Sequence, residues 1–307
     1  MKDYTNKSPN FASTIQIPET TDPAHADNLN VPTEQLLQNT LVNHSLIVYN
    51  SDAENKIYKG RNLATVFAEE IKNYDDEWAW IRARIKAGNY TGIYIGDYIP
   101  VTMNNETVNM QVAGIDCYYK TTDQQLGHHI DFISKDCFSE TVKWHLENKN
   151  NGNAESPYPY MASNLYKYLT ETLYGYLPDK VKKQIAHKRM ILEQRYSASG
   201  VLTDSTTWGW QDMGPLWVPT EYEVFGSVVW GTPGWSAGQA MQYPIFANSY
   251  VNRIKGAGPG GGRTGWWLAS AGGGSSIYVV YVGNTGNSYS NNANNSLYVP
   301  VCFRITA

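Results

Sequence analysis

The chain has 307 residues, of which 42% are hydrophobic and only 17% are charged, and its formal net charge is −4. This composition excludes an intrinsically disordered chain, and the acidic balance argues against nucleic acid as a partner, because nucleic-acid binding needs clustered cations. The dense basic run from Lys180 to Arg195 is interpreted as the solvated face of a helix.

The three cysteines, Cys117, Cys137 and Cys302, are too few for a disulfide framework. Three buried thiols are the favoured prediction, and a bridge between Cys117 and Cys137 is the alternative. No apolar run is long enough to cross a membrane, and none follows Met1 as in a signal peptide. We therefore expect synthesis in a bacterial cytoplasm and no membrane insertion.

Residues 1–58 are predicted to form an N-terminal attachment and oligomerisation module. The segment is polar, and Thr33 is typical of a helix N-cap. A short helix after Thr33 is predicted from apolar residues at helical spacing, namely Leu36, Leu37, Leu41 and Val42. A brief strand is predicted over residues 45–49.

Residues 59–91 are predicted to form two short helices that connect this module to the next domain. Leu63 and Ile71 belong to the apolar stripe of the first helix, and Trp78 and Ile85 belong to that of the second. Two short amphipathic helices cannot bury their stripes alone. They are expected to pack on the following domain or on a neighbouring subunit.

Residues 92–307 are predicted to form one α+β domain, which begins at a boundary near residue 90. Alternating apolar residues on both sides of Asn104-Asn105 predict a β-hairpin. Residues 162–193 predict two helices, the second of which begins at Pro178. The C-terminal end predicts short strands joined by turns rich in Gly, Asn and Ser.

Motifs that would indicate catalysis are weak. The glycines of Gly256–Gly265 lack the Gly-Lys-Ser/Thr ending of a phosphate-binding loop. The run His128-His129-x-Asp131 lacks the paired spacing of a zinc site even with two cysteines nearby in sequence, so a structural polar cluster is favoured over a metal site. Thr220 and Glu223 fit a capping box better than an acid–base pair. No metal ion, cofactor or catalytic residue is predicted.

Residues 269–298 are the most informative segment. They contain no Lys, Arg, Asp, Glu, Gln, Met, Trp or Pro, and Asn, Ser, Gly and Tyr dominate. Antibody loops have a similar composition, because Tyr supplies rigid contact area while Ser, Gly and Asn supply adaptable hydrogen bonds. The segment therefore predicts a contact surface, and a loop-rich strand region without a special role is the alternative.

The same segment fits adenine-directed diversification of its gene. Lys, Glu, Gln, Met and Trp are absent from residues 269–303. Those are the residue types that a template codon AAC cannot yield when its adenines are randomised.

Several motifs resemble a known family. Trp266-Trp267-Leu268, Asn291–Ser296 and Val299–Arg304 resemble the C-terminal end of the C-type-lectin-like fold, in the branch shared by formylglycine-generating enzymes and the variable proteins of diversity-generating retroelements. Upstream segments resemble a related domain family of unknown function that is common in phage and gut-bacterial proteins, namely Ile95–Pro100, Gly127–Phe132, Ser163–Leu169, Leu216–Phe225 and Pro244–Phe246. Residues 1–58 resemble, more weakly, the start of phage tail fibres or baseplate-attached proteins.

This resemblance implies a non-enzymatic receptor-binding adhesin of a phage or prophage tail. The lectin-like domain would bind a host-cell surface protein or glycan, the N-terminal module would contact other tail proteins, and the chain would form a homotrimer in the virion. Two alternatives stay open: a structural tail or baseplate component without ligand binding, and a hydrolase that acts on glycans.

The sequence departs from the family in two respects. The enzyme branch needs a reactive cysteine pair near the C-terminus, and only Cys302 lies there, in an apolar strand where burial makes a thiol inert. The Glu-Pro-Asn and Trp-Asn-Asp motifs of calcium-dependent sugar binding are also absent, so that mode of binding is not predicted.

A fixed apolar frame is expected at Trp266, Trp267, Val299, Val301 and Phe303. The alternation over residues 277–282 does not say which face is outside. The predicted variable, ligand-binding positions are Ala269, Ala271, Gly272, Gly273, Tyr278, Val280, Tyr281, Gly283, Asn284, Tyr289, Asn291, Asn292, Asn294, Asn295 and Tyr298. The predicted anchors among them are Tyr278, Tyr281, Tyr289 and Tyr298.

Overall fold

The structure is a computed structural model that describes residues 58–119, 123, 125–205, 207–234 and 241–307. The predicted N-terminal module therefore lies outside the described residues, apart from Tyr58. The described residues belong to one compact unit. No helix in the described ranges is both long enough and apolar enough to cross a membrane.

The helices are short. They are α1 Leu63–Val66, α2 Ala68–Ile71, α3 Glu77–Lys86, α4 Asn164–Lys167, α5 Tyr174–Tyr176, α6 Asp179–Lys182, α7 Glu221–Phe225 and α8 Pro244–Asn248. A π-helical segment, Tyr168–Leu173, joins α4 to α5, and a 3₁₀ turn spans Tyr250–Arg253.

The strands carry most of the regular structure. They are β1 Tyr98–Met103, β2 Glu106–Ile115, β3 His129–Lys143, β4 Ile185–Ala186, β5 Arg189–Gln194, β6 Tyr196–Ser197, β7 Gly200–Val201, β8 Thr207–Asp212, β9 Lys255–Gly256, β10 Arg263–Thr264, β11 Trp266–Ala271, β12 Tyr278–Val282, β13 Ser288–Asn292 and β14 Ser296–Thr306.

Within the described part of the chain, the main sheet has eight strands in the order β1-β2-β3-β14-β11-β12-β13, and β4 also pairs with β14. Its strands are antiparallel except for the contact between β11 and β14. The C-terminal strand β14 therefore lies inside the sheet, between β3 and β11. The architecture is α+β and mostly sheet, as predicted.

The predicted hairpin before residue 116 is confirmed. β1 pairs with β2 from Tyr98 opposite Gln111 to Met103 opposite Glu106. Asn104 and Asn105 form the turn with φ of 44° and 65°, left-handed values that asparagine tolerates better than most residues.

The two predicted helices of residues 59–91 pack on the main sheet. Asp76 caps α3 by accepting the backbone N–H groups of Trp78 and Ala79. Trp78 lies edge-on to Phe132 of β3 and Phe303 of β14, with ring centroids 5.5 and 5.4 Å away. These helices share the core of the sheet, so the predicted boundary near residue 90 does not separate two compact units.

The prediction of a helix up to residue 193 is wrong. β5 is a strand that pairs with β8, although several of its residues favour helices locally. Pairing with a distant strand and the burial of Met190 and Leu192 override that preference. The interpretation of the basic run as a solvated helix face is also wrong, because Lys188 and Arg195 are fully buried.

Other predictions about the core are confirmed. The five frame residues, Trp266, Trp267, Val299, Val301 and Phe303, are all fully buried. The three cysteines are free and buried, and burial raises the pKa of the Cys302 thiol. A buried thiol with a raised pKa is a poor nucleophile.

Candidate ligand-binding surface

The candidate surface is built on the hairpin of β12 and β13. β12 consists of Tyr and Val only, in the order Tyr-Val-Val-Tyr-Val, while β13 is polar and is the last strand in the sheet order on this side. The register places Tyr281 opposite Tyr289 and Val280 opposite Ser290. Successive residues of a strand point to opposite faces, so the hairpin presents two different surfaces.

One face of the hairpin borders an open groove that contains a pair of tyrosines. The rings of Tyr281 and Tyr289 have centroids 5.8 Å apart and are tilted by 30°. Both rings lie against glycine: a methyl group at Gly265 would come within 3.1 Å of Tyr281, and one at Gly283 would come within 2.6 Å of Tyr289. The absence of side chains at these two positions lets the rings approach the backbone closely.

The groove is polar and carries little charge. Of the described residues that line it, Arg263 is the one with a charge, alongside Thr264, Asn284 and Asn291. The Asn291 Oδ1 atom accepts the backbone N–H of Asn292 at 2.9 Å and the side-chain amide of Asn295 at 2.7 Å. Asn291 is thus held in place, whereas the exposed Asn284 extends from the turn.

A second exposed area lies on the other face, around Trp230 and Tyr278. Trp230 is 47% exposed and Tyr278 is 42% exposed. The Trp230 Nε1–H donates to the carbonyl oxygen of Ser288 on β13 at 3.0 Å. The backbone N–H of Gly273 donates to the Trp230 carbonyl at 2.7 Å. The loop around Trp230 therefore joins the surface of the predicted segment.

The sequence analysis missed Trp230 as a surface residue. Its only signal was a run of apolar residues, Val228-Val229-Trp230, between glycines and other loop-forming residues. An exposed tryptophan next to a predicted contact segment is a common anchor in interfaces. The hydrogen bond to β13 joins residues far apart in the chain, so only the structure reveals it.

Two buried side chains from outside the segment hold the loop between β11 and β12. The Asn150 side-chain amide donates to the carbonyl of Ser275 at 3.0 Å and also to that of Tyr278. The Arg195 guanidinium donates to the carbonyl of Gly272 at 2.9 Å and to that of Ser275 at 3.1 Å. These bonds satisfy backbone carbonyls, so they do not depend on the identity of the loop side chains.

Three carboxylates support the backbone of the surface in the same way. Glu221 accepts the N–H groups of Trp230 and Gly231 at 3.1 and 2.8 Å, and it also accepts the Ser288 hydroxyl. Glu193 and Asp204 accept the N–H groups of Ala271 and Gly274, respectively. The surface backbone is therefore fixed by charged groups that lie outside residues 269–298.

The predicted ligand-binding positions divide into two groups by burial. The accessible or partly accessible ones are Gly273, Tyr278, Tyr281, Asn284, Tyr289, Asn291, Asn292, Asn294, Asn295 and Tyr298. The buried ones are Ala269, Ala271, Gly272, Val280 and Gly283.

The five buried positions have no accessible side chain, and their assignment as variable positions stays a prediction. Ala269, Ala271 and Val280 belong to the interior of β11 and β12. A methyl group at Gly272 would lie 2.9 Å from the Tyr278 carbonyl oxygen, and one at Gly273 would lie 3.0 Å from the Gly231 carbonyl oxygen. The neighbouring backbone lies so close that any side chain is disfavoured at Gly272. The same holds at Gly273, although that residue is partly accessible.

A network of buried charges lies in the core. Arg304 donates two hydrogen bonds to Asp131 at 2.6 and 2.8 Å, and Lys188 pairs with Glu223. Tyr243 links the two pairs, because its hydroxyl donates to Asp131 at 2.9 Å and accepts from Lys188 at 3.2 Å. Each of these residues is at most 2% exposed, so the network contacts no solvent and is suited to a structural role.

The electrostatics of this network follow from burial and pairing. Burial raises the pKa of Asp131, but the Arg304 guanidinium outweighs this effect and the pKa falls to about 2. Burial lowers the pKa of Lys188, which Glu223 partly offsets. The predicted capping box is confirmed at α7, where Glu223 also accepts the backbone N–H of its N-cap Thr220 at 2.9 Å.

The histidines near the start of β3 differ in burial although both lie near Asp116. His128 is partly exposed and lies 2.6 Å from one Asp116 oxygen, whereas His129 is fully buried and its Nδ1 atom lies 3.8 Å from the other. Asp131 is paired with Arg304. In the described ranges, no cluster of three or more His, Cys, Asp or Glu side chains is placed to hold a metal ion.

Comparison with known proteins gives one match. Residues 131–307, which are more than half of the chain, match a family described as a domain of unknown function, DUF6273. No curated protein and no solved structure matches the chain. The matched region begins in β3 and includes the hairpin, the groove and the buried residues that support them. The chain therefore belongs to the DUF6273 family.

Proposed function

We propose that the chain is a receptor-binding adhesin of a phage or prophage tail. In this proposal residues 92–307 adopt a C-type-lectin-like fold, and the β12–β13 hairpin with the Trp230 loop binds a ligand on the host-cell surface. The α+β architecture with the C-terminal strand inside the main sheet supports the fold assignment. The resemblance of the terminal motifs to variable proteins supports the placement in a tail.

One observation carries the binding role. The surface combines exposed tyrosines, asparagines and a tryptophan on a backbone that buried Asn150, Arg195 and Glu221 hold from below. Pre-organised aromatic and amide side chains lose little conformational entropy when they bind. The buried carboxylates accept hydrogen bonds from backbone N–H groups or form ion pairs with buried cations. They therefore do not favour the hydrolase alternative.

Diversification is part of the proposal. Because the backbone of the surface is held by residues outside the segment, exposed side chains on it can change without loss of the fold. A homotrimer would multiply weak contacts of single surfaces into avidity. The N-terminal module would supply attachment to other tail proteins.

Replacing the tyrosine pair tests the binding role. The variant Tyr281→Ala/Tyr289→Ala, in the full chain, should bind a panel of bacterial strains at least roughly tenfold more weakly than the wild type, because the anchors of an interface carry much of its affinity. Tyr74→Ala, which removes a 38% exposed tyrosine on the turn before α3, is the matched control.

Light scattering of the same variants distinguishes the alternative. If the double variant assembles normally and loses binding, the adhesin proposal is supported. If it binds cells as the wild type does, the tyrosine pair is not the binding site. If the wild type binds no strain and the double variant fails to assemble, a structural tail component is the better assignment.

Sequencing of this gene across a population of its source tests diversification. We expect substitutions at codons for accessible residues, such as Tyr278, Tyr289 and Asn291. The codons for Ala271, Gly272 and Val280 should remain constant, because their side chains or α-carbons are enclosed. A uniform gene, or substitutions spread equally over buried and accessible codons, would contradict diversification of this surface.

A further inference from the structure

The groove beside the tyrosine pair contains a cation without a carboxylate partner. Arg263 is exposed and is the first residue of β10, two residues before Gly265, which contacts Tyr281. Within the described part of the chain, no carboxylate oxygen lies within 4.0 Å of its guanidinium, whereas Arg84, Arg189 and Arg304 each have one. The Arg263 side chain is therefore available to an anion from outside the chain.

The tyrosine pair supplies a different kind of contact. The aromatic face carries partial negative charge, so it attracts the slightly positive C–H groups of a ring that lies on it. A pyranose ring presents such C–H groups on its faces and hydroxyls at its rim. Asn284 and Thr264 lie at the border of the groove, where they can hydrogen-bond to hydroxyls.

Other ligand classes fit less well. Among the described residues, the groove has one aliphatic lining side chain, Leu297, so this lining offers no enclosed apolar pocket of the kind in which peptide anchors are buried. Single-stranded nucleic acid also stacks on tyrosine, but it needs a track of cations, and Arg263 is the only charged residue that lines the groove in the described part of the chain.

We infer that the groove between Arg263 and the Tyr281–Tyr289 pair binds an acidic saccharide, in which a sugar ring stacks on the tyrosines and a carboxylate or sulfate group pairs with Arg263. This inference rests on the proposed function, for which it names the ligand class.

Calorimetric titration of the full chain with matched saccharide pairs tests the inference. One pair is sialyllactose and lactose, which differ by a carboxylated sugar. The other is 6-sulfo-N-acetyllactosamine and N-acetyllactosamine, which differ by a sulfate. We expect the acidic member of at least one pair to bind roughly tenfold more tightly than its neutral counterpart, and the two pairs distinguish a carboxylate from a sulfate.

Variants assign the effect to the groove. Arg263→Gln should remove the preference for the acidic member and leave the neutral one unchanged, while Tyr289→Ala should weaken both. Arg82→Gln, which changes an exposed arginine that bonds only to Gln184 among the described side chains, is the control and should have no effect. The unfolding midpoint of each variant should match that of the wild type.

Three results would overturn the inference. The first is no binding of either acidic probe at concentrations up to about 10 mM, and the second is a preference for acid that persists in Arg263→Gln. The third is cell binding that depends on the tyrosine pair but is unchanged by Arg263→Gln and by periodate oxidation of the cell-surface glycans. That third result would leave the adhesin proposal standing and identify its ligand as a protein.

Discussion

Gly283 allows the Tyr289 ring to lie against the hairpin turn. A methyl group at Gly283 would come within 2.6 Å of the ring, whereas the Asn287 carbonyl oxygen of the backbone would lie 3.7 Å away. Because the backbone of Gly283 does not have a positive φ, alanine is compatible with the local conformation. The position therefore controls the orientation of a ring that lines the groove, with little influence on the fold.

We predict that Gly283→Ala displaces the Tyr289 ring and weakens ligand binding by roughly fivefold, with a change in the free energy of unfolding below about 1 kcal/mol. Cell binding and chemical denaturation measure the two effects. Gly262→Ala is the control, because a methyl group there meets no atom within 4 Å. Unchanged binding by Gly283→Ala would show that the ring orientation is unimportant.

Asp131 illustrates how a buried charge depends on its partner. It accepts two hydrogen bonds from Arg304 and one from Tyr243. We predict that Asp131→Asn lowers the free energy of unfolding by about 3 kcal/mol, because it leaves the buried Arg304 charge without a counter-charge. Denaturation by urea measures this loss. Glu69→Gln removes the partner of the exposed Lys72 and should have no measurable effect. A similar result for both variants would contradict the assigned role of the buried pair.

At the scale of elements, the loop between β11 and β12 depends on donors that are distant in the chain. We predict that Asn150→Ala destabilises the protein by about 1–3 kcal/mol, because buried carbonyls lose a hydrogen-bond donor. Hydrogen exchange of the backbone amides in residues 271–279 should accelerate more than exchange in β3, and ligand binding should weaken.

Asn148→Ala is the matched control for that variant. Its side chain bonds to Asn292 at 3.3 Å in an exposed position, so the loop exchange rates should stay the same. Equal acceleration in both variants would mean that the loop is not held by Asn150.

Elements with local determinants could be predicted from the sequence. The Asn104-Asn105 turn and the Thr220–Glu223 capping box each depend on residues within a few positions of one another, and the structure confirms both. The strand β5 could not be predicted, because its local preference is helical and its pairing with β8 is decided by distant residues. The same limit applies to the candidate surface. Its tyrosines could be predicted from the composition of the segment, but the supporting role of the buried Arg195 and Asn150 could not, because they lie far from the segment in the chain.

The burial of individual residues in β12 could not be predicted from the sequence either. Alternation predicts two faces, but Val279 and Val280 are both fully buried although they point to opposite sides. Each side of β12 is covered in part, because Val279 and Val280 are buried while Tyr278 and Tyr281 keep accessible surface. Which positions stay accessible is therefore set by the whole molecule, and not by the strand itself.

At the scale of the whole molecule, the buried groups make stability depend on pH. Burial lowers the pKa of His129 below its ordinary value of 6.5, despite the nearby Asp131 carboxylate. The pKa of Asp131 is about 2 in the folded chain, compared with an ordinary value of 3.8. Burial raises this pKa, but the nearby Arg304 guanidinium lowers it by more. The ring of His129 is held by the Gly127 carbonyl at 3.0 Å and by the backbone N–H of Tyr118 at 3.3 Å.

Both groups bind a proton less readily in the folded chain than in the unfolded chain, so acid favours the unfolded chain. We predict that the free energy of unfolding is highest above about pH 6.5, falls as His129 of the unfolded chain takes up a proton, and falls again between about pH 4 and pH 2 through Asp131. Guanidinium denaturation as a function of pH measures this profile. In His129→Gln the first decline should be smaller, and in Asp131→Asn the second should be smaller by about 2 kcal/mol. A profile that rises on acidification, or that neither variant alters, would contradict the proposed electrostatic role of the buried network.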